Sequence, residues 1–134
     1  MDISTFDDLL RAARAQTQPQ RLLFVFAAAE LPDGCTPEER ARFEAGEGGA
    51  LTPVMSVDKS PDELANFAAL ADESRQFGGD WAVVFAAGLA GRDGRAPNAA
   101  EAGAALDRMI AAIKVGALES FMPFDRTGSP IVLA

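Results

Sequence analysis

A chain of 134 residues holds one hydrophobic core, because a half of about 65 residues would bury too little surface to stand alone. Hydrophobic residues at 49%, charged residues at 24% and a formal charge of −8 describe a globular acidic domain, and that charge excludes a phosphate-backbone footprint and hence a nucleic-acid partner. The absence of histidine and tyrosine excludes triads with a histidine base, histidine metal sites and tyrosine acids.

The expected element order is helix, strand, short helix, strand, helix, strand, helix, strand, strand. Ser4 or Thr5 followed by Asp7 and Asp8 reads as a helix start, with an apolar stripe of Phe6, Leu9, Leu10 and Ala13, since a side-chain oxygen caps free N–H groups and acids in the first turn meet the helix dipole. Residues 22–28 form a continuous run of β-formers, which suits a central strand buried on both faces. Thr36, Pro37 and Glu39 start a short polar helix anchored by Phe43 alone. Residues 51–57 read as a strand pushed by Pro53 toward a sheet edge or a bulge. Ser60, Pro61 and Glu63 start the next helix, striped by Leu64, Phe67, Ala68 and Ala71. Residues 81–87 give a second continuous strand, opened by Trp81 in the core. Asn98 and Glu101 start a helix striped by Ala102, Leu106, Met109, Ile110 and Ile113. Residues 118–124 carry Pro123 and read as another edge strand, and after a turn over 125–129 residues 130–133 return as a last short strand.

The fold class that follows is α/β in the broad sense, mixed α+β. It is a single domain spanning 1–134, with a central mixed sheet of about five strands flanked by helices. A unit of helix, strand, helix, strand occurs twice, over 1–60 and 61–134. Val25-Phe26-Ala27-Ala28 recurs as Val84-Phe85-Ala86-Ala87, Asp33-Gly34 with Pro37 recurs as Asp93-Gly94 with Pro97, and MSVDKS from Met55 recurs as MPFDRT from Met122. Three collinear matches predict an internal pseudo-twofold.

The best ligand candidate is the loop containing Gly88, Gly91, Arg92, Gly94 and Arg95, which follows a buried strand and precedes a capped helix, where backbone N–H groups can approach a phosphate. Its spacing matches neither the dinucleotide fingerprint nor a P-loop, and the plain alternative is a strand-to-helix connection in which Asp93-Gly94 makes the turn. If strands 22–28 and 81–87 are adjacent and parallel, this loop and Asp33-Gly34 flank a crevice. Cys35 precedes a helix start, where a dipole lowers a thiol pKa, but it has no histidine partner and reads as structural. Gly46, Glu47, Gly48 and Gly49 read as a loop tip. Asp58-Lys59 and Asp125-Arg126 read as local ion pairs closing turns. No catalytic residue, metal set or cofactor is expected.

A lone cysteine fits a reducing compartment. The N-terminus MDISTFDDLL lacks the features of a secretory signal, and the longest apolar runs, 22–29 and 81–90, are well short of the roughly 20 residues of a membrane-spanning helix. The expectation is a cytoplasmic protein without a membrane partner.

The stretches RLLFVFAAAELP (21–32), RFEAGEGGALTPVMSVDKSPDEL (42–64), GRDGRAP (91–97) and FDRTGSP (124–130) resemble a family of small bacterial proteins often given the label ribonucleotide reductase subunit alpha. The resemblance covers nearly the whole chain and implies a compact bacterial protein with no catalytic residues to carry over. Reductase chemistry uses a radical cysteine plus a reducing pair, whereas Cys35 stands alone. A second, weaker similarity runs through ALTPVMSVDKSPDEL (50–64) to domains of the serine-sensitivity-enhancing type, and implies a strand followed by an acidic helix.

Two functions from different classes are expected. The first is a non-enzymatic interaction or regulatory protein whose partner is another protein or a second copy, with a homodimer through an edge strand as one form. The second is a binding module for an anionic, nucleotide-like ligand at the Gly88, Gly91, Arg92, Gly94 and Arg95 loop.

Overall fold

The computed structural model describes residues 5–30, 36–44, 50–76 and 80–131. The elements are α1 (Phe6–Arg14), β1 (Gln20–Glu30), α2 (Pro37–Glu44), β2 (Ala50–Lys59), a 3-10 turn (Pro61–Glu63), α3 (Phe67–Gln76), β3 (Val83–Ala90), α4 (Ala99–Lys114) and β4 (Met122–Phe124). Cys35, Asp33-Gly34 and the glycine loop at 46–49 lie outside the described residues.

The helix starts follow the expected chemistry in three of four places. Thr5 Oγ1 accepts the Asp8 N–H at 3.2 Å. Thr36 and Glu39 bond reciprocally, with the Thr36 N–H on Glu39 Oε1 and the Glu39 N–H on Thr36 Oγ1. Asn98 and Glu101 do the same for α4. The Ser60 signal starts only the 3-10 turn. Leu64 leaves it in an extended conformation, φ −116° and ψ 121°, and buries its side chain. The helix then restarts at Phe67, where the Asn66 side chain accepts the Ala69 N–H. Arg14 holds the break in place by donating to the carbonyls of Pro61 and Leu64 at 3.0 and 2.6 Å.

The strands form one four-stranded sheet in the order β2-β1-β3-β4, and every pairing is antiparallel. The two continuous apolar strands are central and the two proline-bearing strands are at the edges. Two expectations need correction. The sheet is not mixed: a continuous apolar run reports burial on both faces, and here helices cover both faces of an antiparallel sheet. Four strands, not about five, form among the described residues: the segment after Asp125 meets β4 through a bridge from Phe124 to Pro130, and positions 132–133 of the expected last strand lie outside those residues. Asp125 Oδ1 accepts the N–H groups of Thr127 and Ser129 and winds the chain into a turn, so only the Ile131 N–H reaches back, to the Pro123 carbonyl. β4 is likewise shorter than expected, since Leu118 and Phe121 close a turn before it.

On one face, Phe6 and Leu10 of α1 and Phe67 and Leu70 of α3 pack on Leu22, Phe24, Phe26, Val84, Ala86 and Phe124. Phe6 is the centre, with ring centroids 5.5 Å from Phe24, 5.0 Å from Phe67 and 5.3 Å from Phe124, geometries that aromatic pairs prefer. On the other face, Ala102, Ala105, Leu106, Met109 and Ile113 of α4 pack on Leu23, Val25, Ala27, Val83 and Phe85. Val25 thus points to the α4 face and Val84 to the opposite one. The two VFAA stretches occupy the two central strands but are out of phase by one residue, and in a strand one residue exchanges the faces.

Across the centre of the sheet Val25 stands opposite Phe85. Met55 pairs with Phe26 and Met122 with Ala86, and both methionines pack against the α1/α3 face. In β2 the register slips where Phe26 pairs with Met55 but Ala27 with Pro53, leaving Val54 as the extra residue of a bulge. No helix among the described residues is long and apolar enough to cross a membrane.

Candidate functional site

The loop after β3 is a second, tiny hairpin. Arg92 and Arg95 exchange both backbone hydrogen bonds at 3.0 and 2.9 Å, while Asp93 and Gly94 at the tip have φ of 53° and 75°. Two successive positive φ values define a type I′ turn, for which Asp-Gly is a favoured pair. At its base the Gly91 N–H donates to the Pro19 carbonyl at 2.8 Å, and a Cβ on Gly91 would lie 1.9 Å from the Arg95 oxygen and 2.9 Å from the Pro19 oxygen. Only glycine fits there. At the tip, Gln18 Oε1 accepts the Gly94 N–H at 2.9 Å. The N–H groups of Gly91, Arg92, Gly94 and Arg95 are therefore all engaged within the protein. Gly88 sits apart from them, within β3 opposite Leu22, where an added Cβ would make ordinary contact with Gln20.

Between this hairpin and the start of α4 lies an open polar depression of about 630 Å³, bordered by Gly91, Arg92, Asp93, Arg95, Asn98 and Glu101. The helix start is closed by its own chain: Asn98 Oδ1 accepts the Glu101 N–H at 2.8 Å and Glu101 Oε1 accepts the Asn98 N–H at 3.2 Å. The Arg92 guanidinium lies 3.5 Å from the Glu101 carboxylate. Two arginines thus face two carboxylates, Asp93 and Glu101, so the rim carries no net positive charge to focus an anion.

The parallel pairing on which a crevice with Asp33-Gly34 depended is absent. β1 and β3 are adjacent but antiparallel, so the chain leaves them at opposite ends of the sheet. The expected local ion pairs are also replaced. Asp58 binds Arg21 of the neighbouring strand at 2.6 Å, Arg21 reaches Glu63 at 3.3 Å, and Lys59 binds Glu73 of α3 at 2.8 Å. Asp125 accepts the Thr127 hydroxyl and the N–H groups of Thr127 and Ser129, and these bonds, the hydroxyl foremost, hold its carboxyl below the usual aspartate range. Arg126 stands 6.0 Å over the Trp81 ring. Trp81 is buried as expected, and its indole N–H donates to Ser74 Oγ at 2.9 Å.

A second locality was not anticipated. Among the described residues the large hydrophobic side chains left exposed are Val54, at 46%, and Val115, at 79%. Val54 lines a depression with Pro53, Ile110 and Lys114, and Val115 follows Lys114 at the end of α4. Pro53 signals both the edge and the bulge that turns Val54 outward, but Pro123 marks β4 in the same way, so nothing local in the sequence distinguishes the two edges. Groups of three or more acidic or thiol side chains able to hold a metal ion do not occur among the described residues. No family model, curated protein or solved structure matches this chain.

Proposed function

We propose that the protein acts in the cytoplasm by binding another protein, as an interaction or regulatory component, and not by turning over a substrate. The observation that carries this reading is the exposed Val54 at the rim of the sheet, which lines one depression with Pro53, Met55 and Ile110. Apolar side chains gathered in one place at a polar surface mark a partner site more often than scattered ones do. The composition supports it too, since a chain without histidine or tyrosine and with one cysteine offers few groups for proton transfer or nucleophilic attack.

The rival reading, an anionic ligand held at Gly91, Arg92, Gly94 and Arg95, has less support. A phosphate cradle needs free N–H groups aimed at the ligand, and in this hairpin those four amides are engaged. The resemblance to the small bacterial family agrees with the interaction reading in carrying no catalytic residues.

Duplication accounts for the architecture on this reading. Asp33 and Asp93, Gly34 and Gly94, and Pro37 and Pro97 are each sixty positions apart. Val25 and Phe85, also sixty apart, face each other across the central pairing. An axis normal to the sheet through that pair exchanges the central strands, exchanges Met55 with Met122 and keeps each face on its own side. MSVDKS and MPFDRT are then equivalent, and the VFAA match is coincidental.

Capture from a lysate of the source cell tests the function. Immobilised wild type is expected to retain a specific protein that a Val54→Lys variant of equal thermal stability loses. Identical retention by the two, or robust turnover by the purified protein in a broad substrate screen, overturns the reading.

A further inference from the structure

The two edges of the sheet are built differently. β4 is three residues long, and the chain folds back on it at Pro130 and Ile131. β2 is ten residues long, and no strand among the described residues pairs with its outer side. Two hollows flank one stretch of this edge, on opposite faces of the sheet. Under α3 lies a slot of about 80 Å³ walled chiefly by Met55, Val57, Leu70 and Ser74, with Glu73, whose carboxylate Lys59 holds at 2.8 Å, as its one charged wall. Beside α4 lies the depression of about 250 Å³ walled by Pro53, Val54, Ile110 and Lys114. Met55 and Ser56 border both.

That arrangement matches the period of a strand. A chain laid along β2 sends successive side chains to alternate faces, so two consecutive residues would enter the two hollows while the backbone pairs with the open edge. We propose that β2 is the acceptor for an extended segment of a partner protein that carries a small aliphatic residue next to an acidic one. The slot selects the first: an apolar cavity of roughly 150 Å³ admits a benzene ring, so one of about 80 Å³ takes a valine-sized group and no ring. Lys114 selects the second, because it stands at the wall of the other hollow without an ion-pair partner among the described residues. Pro53 and the Val54 bulge interrupt the edge on one side, which confines pairing to the stretch from Met55 to Lys59.

A second copy of the chain fits less well. Twofold pairing of β2 with itself about this stretch puts both Lys114 side chains on one face beside the axis, and the acid that β2 could offer, Asp58, is held by Arg21 at 2.6 Å.

The inference rests on the interaction reading and specifies its site. Its test uses the intact isotope-labelled protein and a capped heptapeptide of threonines and terminal lysines with a central Val-Glu pair, followed by amide NMR at millimolar peptide. Shifts and slowed exchange confined to Met55 through Lys59 are expected. A peptide with Val-Lys in place of Val-Glu is expected to bind about fivefold more weakly, and a Lys114→Glu variant to reverse that order. No shift, shifts centred away from β2, or an unchanged order in the variant overturns the proposal. So does protection of β2 that rises with protein concentration before peptide is added, which would mean self-pairing. If the lysate partner is retained equally by wild type and Lys114→Glu while the peptides fail, the interaction reading stands and strand addition at β2 falls.

Discussion

Among the described residues Ser74 is the buried polar side chain of the core, at 1% exposure, and its removal gives a sharp test of the packing beneath α3. Its hydroxyl donates to the Ala71 carbonyl at 2.6 Å and accepts the Trp81 indole N–H at 2.9 Å. In Ser74→Ala the carbonyl keeps its helical surroundings, but the indole N–H is left without an acceptor inside the core. An unmet buried donor costs about 1–3 kcal/mol, or a fall in Tm of roughly 3–5 °C per kcal/mol at this chain length. Trp81→Phe removes the donor itself, and Ser74 keeps its bond to Ala71. The Ser74→Ala change is therefore expected to cost about 1–2 kcal/mol less in the Trp81→Phe background than in the wild type. Urea unfolding followed by circular dichroism measures all four corners of the cycle, and the fluorescence of Trp81, the single tryptophan, reports independently on the two that retain it. A coupling near zero, or a Ser74→Ala cost below about 0.5 kcal/mol, would refute a buried indole satisfied by this hydroxyl.

Further outcomes follow from the hairpin, the caps and the carboxylates. Gly91→Ala drives a methyl group into the Arg95 and Pro19 carbonyls and is expected to cost about 3 kcal/mol, the upper end of overpacking. Gly94→Ala meets no atom within 4 Å but keeps φ at 75°, so about 1–2 kcal/mol is expected; thermal unfolding that ranked Gly94 above Gly91 would contradict the hairpin geometry. Asn98→Ala opens the reciprocal cap of α4 and should cost about 1 kcal/mol, read by the same melts. The Glu63 carboxyl is held below its ordinary value of 4.5, chiefly by the Ser60 N–H, and Asp125 below its ordinary 3.8 by the Thr127 hydroxyl. For a carboxyl lowered by folding, the stabilisation is complete above the unfolded value and is lost as pH falls through the folded one. Asp125→Asn is therefore expected to be less stable than wild type at pH 7, with the gap closing below pH 3.8; a gap that widened in acid would reverse the assignment.

The fold was legible where the signal is local. Thr5, Thr36 and Asn98 cap their helices with the oxygens their positions implied, and Pro53 and Pro123 lie in edge strands because neither can complete a central ladder. Leu64 departs from its local pattern for a different reason. Its apolar spacing with Phe67 and Ala71 fits one continuous helix, but Arg14, fifty positions away in the chain, holds the Leu64 carbonyl and stabilises a break that no local pattern records. Strand direction was illegible on the same grounds: the apolar runs from Leu22 and Trp81 reflect cover on both faces, usual for a parallel sheet and provided here to an antiparallel one by α1 and α3 on one face and α4 on the other.

The candidate sites divide along the same line. Asp93-Gly94 could be read as a turn from two adjacent residues, and the turn accounts for Gly91 and Gly94, two of the glycines that also suggested a phosphate loop. Val54, Lys114 and the slot beneath α3 could not be read as a site, because Pro53 marks β2 as an edge or a bulge but not that α3 and α4 pack on opposite faces of it. The bulge ties the two kinds of information together. One extra residue beside Pro53 resets the alternation along β2, so Met55 and Val57 face the core under α3 while Val54 stands out toward α4. Were Val54 paired as an ordinary ladder residue opposite Ala27, the residues before it would move one place along β1 and exchange their faces. Leu51, packed on the α4 side opposite Ala29, would then stand opposite Glu30 and turn toward α3. The bulge thus places apolar groups on both sides of one open edge while the rest of β2 keeps its register with β1.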